Sequence, residues 1–172
     1  MPWNLHGGGD FTPFIKFNAK SGRFTVRAEG GEQEVEVAPP FQIAFDFPAS
    51  RTGWILFGKD GPPMKRWDPS FSVEAPHPDV NNEKWKRGFQ VTVYIPTRKI
   101  GVREWMATAG AIIGPIGEMF EEWEKHGNPD EVPVYRCTTT HSTKGAYGTH
   151  YSPVFEFDKW RLRHEVPGFD GQ

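Results

Sequence analysis

The chain has 172 residues, a net charge of −2 and a mean hydropathy of −0.60, which gives room for one domain with a real core and too little for two of ordinary size. Its single cysteine excludes an internal disulfide and makes a reducing cytoplasm the simplest home, and the absence of a signal-like or long apolar run gives no support to secretion or membrane insertion. Aromatic residues make up 15% of the chain, with 19 Gly and 16 Pro, a composition that suits short strands joined by turns better than a helical bundle.

In chain order, residues 1–12 read as a flexible arm, with His6 and the run Gly7, Gly8, Gly9. Residues 14–27, FIKFNAKSGRFTVR, read as a hairpin turning at Ser21-Gly22. Ile15, Phe17, Phe24 and Val26 point to a core, while Lys16, Lys20, Arg23 and Arg27 form a cationic face. Residues 32–37 alternate Glu with Val, and FQIAFDF at 41–47 resumes a strand after Pro39-Pro40. Trp54, Ile55, Leu56 and Phe57 are apolar on both sides and predict a buried central strand. Residues 58–82, rich in Pro, Asp and Gly, read as a long loop carrying Lys65, Arg66 and Trp67 near its start.

Residues 84–105, KWKRGFQVTVYIPTRKIGVREW, form the most informative stretch. Phe89, Val91, Val93 and Ile95 alternate with Gln90, Thr92 and Tyr94, the period of a half-buried strand. Lys84, Lys86, Arg87, Arg98, Lys99 and Arg103 flank it, Trp85, Tyr94 and Trp105 lie among them, and no acid intervenes between Lys84 and Arg103. Cations interleaved with rings suit a polyanion with flat bases, meaning single-stranded nucleic acid; a surface strand with merely solvated charges is the competing account. The overall negative charge does not oppose the first reading. Acids concentrate elsewhere: four Glu within residues 29–36, and six acids against Lys125 within residues 118–131. Screening over roughly 8 Å in physiological salt lets a basic face act locally.

A helix is predicted over residues 104–126 from the stripe Met106, Ala109, Ile113, Ile116, Phe120 and Trp123, with a break near Pro115 and a cap at Gly127. Residues 132–137 read as a strand, 138–152 as a Ser/Thr/Gly-rich loop with Lys144, Tyr147 and Tyr151, and 154–163 as a last strand with Trp160, Arg161 and Arg163. No phosphate-binding loop, dinucleotide fingerprint or Ser/His/Asp signature occurs. Cys137, His141 and His150 lack the paired spacing of a zinc site. No cofactor, metal or catalytic residue is therefore expected, and a binding protein is favoured over an enzyme.

Strands, one helix, then two strands joined by a long loop is the order of the OB-fold. Through PFIKFNAKSGRF at 13–24, GWILF at 53–57, VREW at 102–105 and YSPVFEFDKW at 151–160, the chain resembles the OB-fold single-stranded DNA-binding proteins of bacteriophages and bacteria. The resemblance implies a mainly β, five-stranded antiparallel barrel elaborated by one helix and long loops, spanning residues 13–165 and followed by a short tail, 166–172. It implies binding of single-stranded DNA with little sequence preference during replication, recombination or repair, in the cytoplasm (the host's, if phage-encoded). Replication or recombination proteins and a second copy of the chain are the expected protein partners, although the tail PGFDGQ is not the acidic tip that recruits partners in many such proteins. The expected phosphate contacts are Lys16, Lys20, Arg23, Lys86, Arg87, Arg98, Lys99, Lys144 and Arg161; the expected stacking rings are Trp67, Trp85, Tyr94, Tyr147 and Trp160. A phage structural or assembly protein with a β-rich protein-binding domain is the alternative.

Overall fold

Period-two alternation shapes the first element of the computed structural model, which describes residues 13–27, 33–58, 61–146 and 148–169. Strands β1 (Phe14–Asn18) and β2 (Arg23–Arg27) pair antiparallel with Ile15 opposite Val26 and Phe17 opposite Phe24, all four buried. The turn is longer than the expected Ser21-Gly22 pair. The Asn18 side chain accepts hydrogen bonds from the amides of Lys20 and Ser21 at 2.8 and 3.2 Å, a local Asx bond that competes with a tight two-residue turn. Gly22 closes it at φ +72, and a Cβ there would come within 2.8 Å of the Tyr151 ring.

β3 (Glu34–Glu36) adds to β2, and β4 (Phe41–Phe45) leads through a 3-10 turn at Phe47–Ala49 into β5 (Arg51–Leu56). Of the run expected to be a buried strand, only Ile55 is fully buried, and Phe57 is 49% exposed. The expected long loop contains β6 (Met64–Trp67), paired antiparallel with β5. Gly53 permits that pairing, since a Cβ there would lie 2.4 Å from the Arg66 carbonyl oxygen.

β7 (Lys86–Ile95) is the hub, and its Phe89, Val91, Val93 and Ile95 face the core as predicted. β5 pairs with its first half and β4 with Val93 and Tyr94 further along, while β8 (Gly101–Ala107) covers the opposite edge. β8 corrects the helix expected from residue 104: Arg103, Trp105 and Ala107 are buried alternately, so a period of two wins over the stripe there. Helix α1 (Gly110–His126) starts later and passes through Pro115 unbroken. Its Ile112, Ile116 and Met119 are buried in the main core, and that packing outweighs the hydrogen bond lost at one proline. Gly127 caps it at φ +72, as expected.

β9 (Glu131–Gly145) and β10 (Gly148–Leu162) form one long hairpin, so the Ser/Thr/Gly-rich segment expected as a loop is mostly strand. The sheet order is β10-β9-β4-β7-β8-β1-β2-β3, with β5 and β6 branching from β7, and β1 runs parallel to β8. The protein is thus mainly β with one α-helix among the described residues, as expected. The sheet, however, is open, mixed and ten-stranded, rather than the expected five-stranded antiparallel barrel. One hydrogen bond, 2.7 Å from the Tyr151 amide to the Ala19 carbonyl, ties the β1–β2 turn to β10 across the opening.

The main core is a cluster of rings around fully buried Trp105, with Phe24, Phe41, Phe45 and Phe47. A second cluster joins Ala44, Val132 and Val134 to Val166 and Phe169, so part of the expected tail is core. The expected arm, residues 1–12, and the chain end, 170–172, lie outside the described residues.

Candidate nucleic-acid interface

β5 lies between β6 and β7, and the register stacks basic residues in rows on either side of it. Trp54 pairs with Arg66 on one neighbour and Arg87 on the other, and Ile55 pairs with Lys65 and Lys86. Arg51, at the start of β5, Lys65, Arg66 and Lys86 are exposed, and none of the four makes an ion pair with a described residue. By the same register Lys65 and Lys86 share the Ile55 face of β5, with Arg51 further along it, while Arg66 shares the Trp54 face with Arg87. Exposed cations without acidic partners on one face suit a polyanion.

Arg87 differs. Its guanidinium donates to both carboxylate oxygens of Asp68, at 2.8 and 2.5 Å, and its Nε lies 3.7 Å from a Glu74 oxygen. Asp68 also accepts from the Thr52 hydroxyl and the Ala75 amide. These bonds, the one to Arg87 foremost, hold the Asp68 carboxyl down at about 2. Arg87 is therefore a staple, fastening the chain after β6 to β5 and β7, and its charge is already met.

The rings divide similarly. Trp54 is clamped, with its Nε1–H donated to the Ala75 carbonyl at 2.8 Å, the His77 ring 4.4 Å away and Arg87 5.3 Å from its centroid. Trp67 is only half-buried, with the Lys65 ammonium 5.9 Å from its centre, and it lines an open hollow with Asp68, Pro69, Ser70, Phe71 and residues 50–52. A ring beside a cation at an open hollow is a stacking platform for a base.

Of the residues expected from sequence, Trp67, Lys86 and Arg87 lie on the β6–β5–β7 branch, Trp67 and Lys86 on the Ile55 face and Arg87 on the Trp54 face. The structure sets the rest apart. Lys16 and Arg23 lie 3.4 and 3.9 Å from Glu34 and Glu36 on β3, so the expected cationic face of the first hairpin is met by the adjacent strand. Lys20 is exposed in the turn of that hairpin, and Lys144 near the tip of the β9–β10 hairpin. Trp85 is 9% exposed, too buried for a stack. Tyr94 does alternate away from the main core, but it packs on the second cluster and is only half-buried. Arg98 donates to the Ala38 carbonyl at 2.6 Å, and both Arg98 and Lys99 sit in the left-handed region in the β7–β8 turn. Trp160 is stacked 3.7 Å from His126, and Arg161 donates to the Glu165 carbonyl. Tyr147 lies outside the described residues.

Sequence reading missed that Lys65 and Lys86 share one face of β5, with Arg51 further along it and Arg66 on the other face. The only local signal was the triplet Lys65, Arg66, Trp67; the rest depends on strand register. Cys137 is fully buried, its thiol pushed up to about 12 by that burial, and the described residues contain no group of three or more His, Cys, Asp or Glu able to hold a metal. No described helix is long and apolar enough to cross a membrane. No protein-family model, curated protein or solved structure matches this chain.

Proposed function

We propose that this protein binds single-stranded DNA with little sequence preference, as a binding module rather than an enzyme, with the β6–β5–β7 patch as its contact surface. The carrying observation is the set of exposed cations Arg51, Lys65 and Lys86 on one face of the patch, without an ion pair among the described residues, together with the half-open Trp67 ring beside Lys65. The cations would meet phosphates without reading sequence, and the ring would stack on whichever base is presented. The order of elements supports the same reading. Taken as one bent strand, β4 and β5 are followed by β7, β8, α1, β9 and β10, so the helix falls between the third and fourth of five strands, as in an OB-fold. The patch then includes the connection between the first two strands, which OB-folds use to hold oligonucleotides. On this reading the protein covers exposed strands during replication, recombination or repair.

A second reading rests on Phe57 and Met64, 49% and 60% exposed where β5 runs towards β6. Apolar side chains at such a site suit contact with another protein in an assembly. Titration of a labelled oligonucleotide, single- against double-stranded, separates the two. The nucleic-acid reading expects preference for the single strand, with log affinity falling linearly in log salt by about 0.7 per phosphate contact. No binding at low salt would sink it and leave the assembly reading.

A further inference from the structure

Beside the patch lies a second hollow, of about 220 Å³, walled by Phe47, Phe89, Val91, Ile113, Ile116 and Phe120. Its lining is mostly apolar, and no described side chain fills it. Gly117 of α1 also lines it, and a Cβ at that position would meet nothing within 4 Å. The remaining lining comes from Gly88 and from Ser50, Arg51, Thr52 and Arg87. Asp68 already holds Arg87, so Arg51 brings the unpaired charge. Residues 50–52 also line the hollow beside Trp67, and the Phe71 ring lies 4.9 Å from Phe120 between the two groups of lining residues.

The size decides what fits. Sites for drug-sized ligands run to roughly 300–1,000 Å³, so this one takes a ring system and leaves a whole dinucleotide outside. An apolar slot with Arg51 at its rim, sharing residues 50–52 with the hollow beside Trp67, complements a flat ring carried on a phosphate backbone. We propose that the hollow takes a single unpaired nucleobase, swung out of a strand whose backbone phosphate meets Arg51 at the rim. This inference rests on the nucleic-acid reading above and adds to it a base-sized pocket beneath α1.

Gly117→Leu tests it, because leucine enters the empty slot from a helical position and removes nothing from the core. The probes are a labelled oligothymidine of about twelve nucleotides, within the usual site size, and an abasic strand with the same number of phosphates. The unaltered protein should bind the oligothymidine more tightly than the abasic strand. Gly117→Leu should weaken oligothymidine binding about tenfold and leave abasic binding unchanged. Gly117→Met, with an adaptable unbranched side chain, serves if the leucine variant fails to fold, and thermal melts establish folding. Equal binding of both strands by the folded variant and the unaltered protein overturns the pocket while sparing the broader reading, as does an equal loss on both strands. Failure of the unaltered protein to bind either strand at low salt overturns the nucleic-acid reading itself, and the pocket with it.

Discussion

Asp68 shows how one carboxylate organises a surface. Its side chain is 4% exposed and meets Arg87, the Thr52 hydroxyl and the Ala75 amide together, so it ties the segment after β6 to both strands beneath. A carboxyl depressed from 3.8 to about 2 on folding contributes stability that is present above about pH 4 and is lost as the pH falls towards 2. The shift corresponds to about 2 kcal/mol. Asp68→Asn should cost a similar amount at neutral pH, because it leaves the partly buried Arg87 charge without its main partner, with only the exposed Glu74 nearby. The variant should also lose most of the drop in stability that the unaltered protein shows between pH 4 and 2. Urea unfolding across that range measures both; an undiminished acid drop in the variant would assign it to other carboxylates. Tyr94 makes a similar point about context. Its outward position in β7 was readable from the alternation, but its cover was not, since the cluster it packs on includes Val166 and Phe169 from the far end of the chain.

Among the elements, the small strand β6 separates two kinds of basic surface. Lys65 and Arg66 on β6 have no acidic partner among the described residues, whereas Lys16 and Arg23 on the first hairpin face Glu34 and Glu36. Replacing both Lys65 and Lys86, which share one face of the patch, with Gln should lower the salt slope of single-strand binding by about 1.4, two contacts at 0.7 each. The same change at Lys16 and Arg23 should leave the slope where it was. Titrations at several salt concentrations decide, and a larger effect from the hairpin pair would move the interface to β1 and β2. β6 was also the element least legible in the sequence. Met64, Lys65 and Arg66 are all exposed, so no apolar alternation marks the strand; backbone pairing with β5 holds it. The hairpin β1–β2 and strand β7 were legible because each buries alternate residues on one face. The stretch at residues 104–107 misled because its apolar residues fit both a helical stripe and an alternating strand, and only pairing with β7 resolves that. The candidate site was legible in Trp67, Lys86 and Arg87. Neutralisation of Arg87 was not, because Asp68 lies 19 residues away along the chain.

At the scale of the whole molecule, the two core clusters are built from distant parts of the chain. Ala44 of β4 packs with Val132 and Val134 of β9 and with Val166 and Phe169 beyond β10. Asp46, after β4, holds Arg163 through two hydrogen bonds of 2.8 and 3.0 Å across 117 residues. The pairing of Phe41 with Cys137 and of Ala44 with Val134 has a kinetic consequence. During synthesis the β9 edge of β4, which carries Phe41, Ile43 and Phe45, emerges long before its partner, and contacts so distant in sequence form slowly. Until β9 arrives that edge is an unpaired, apolar strand, open to pairing with another chain. A chain cut to residues 1–130 should therefore fail to fold and should aggregate, though it keeps the hub strand and the basic patch. A cooperative unfolding transition and a monomeric scattering profile for that fragment would show the first eight strands and the helix forming without the last hairpin. With the hairpin required, the nascent protein has to be kept from its neighbours until nearly its whole length has been made.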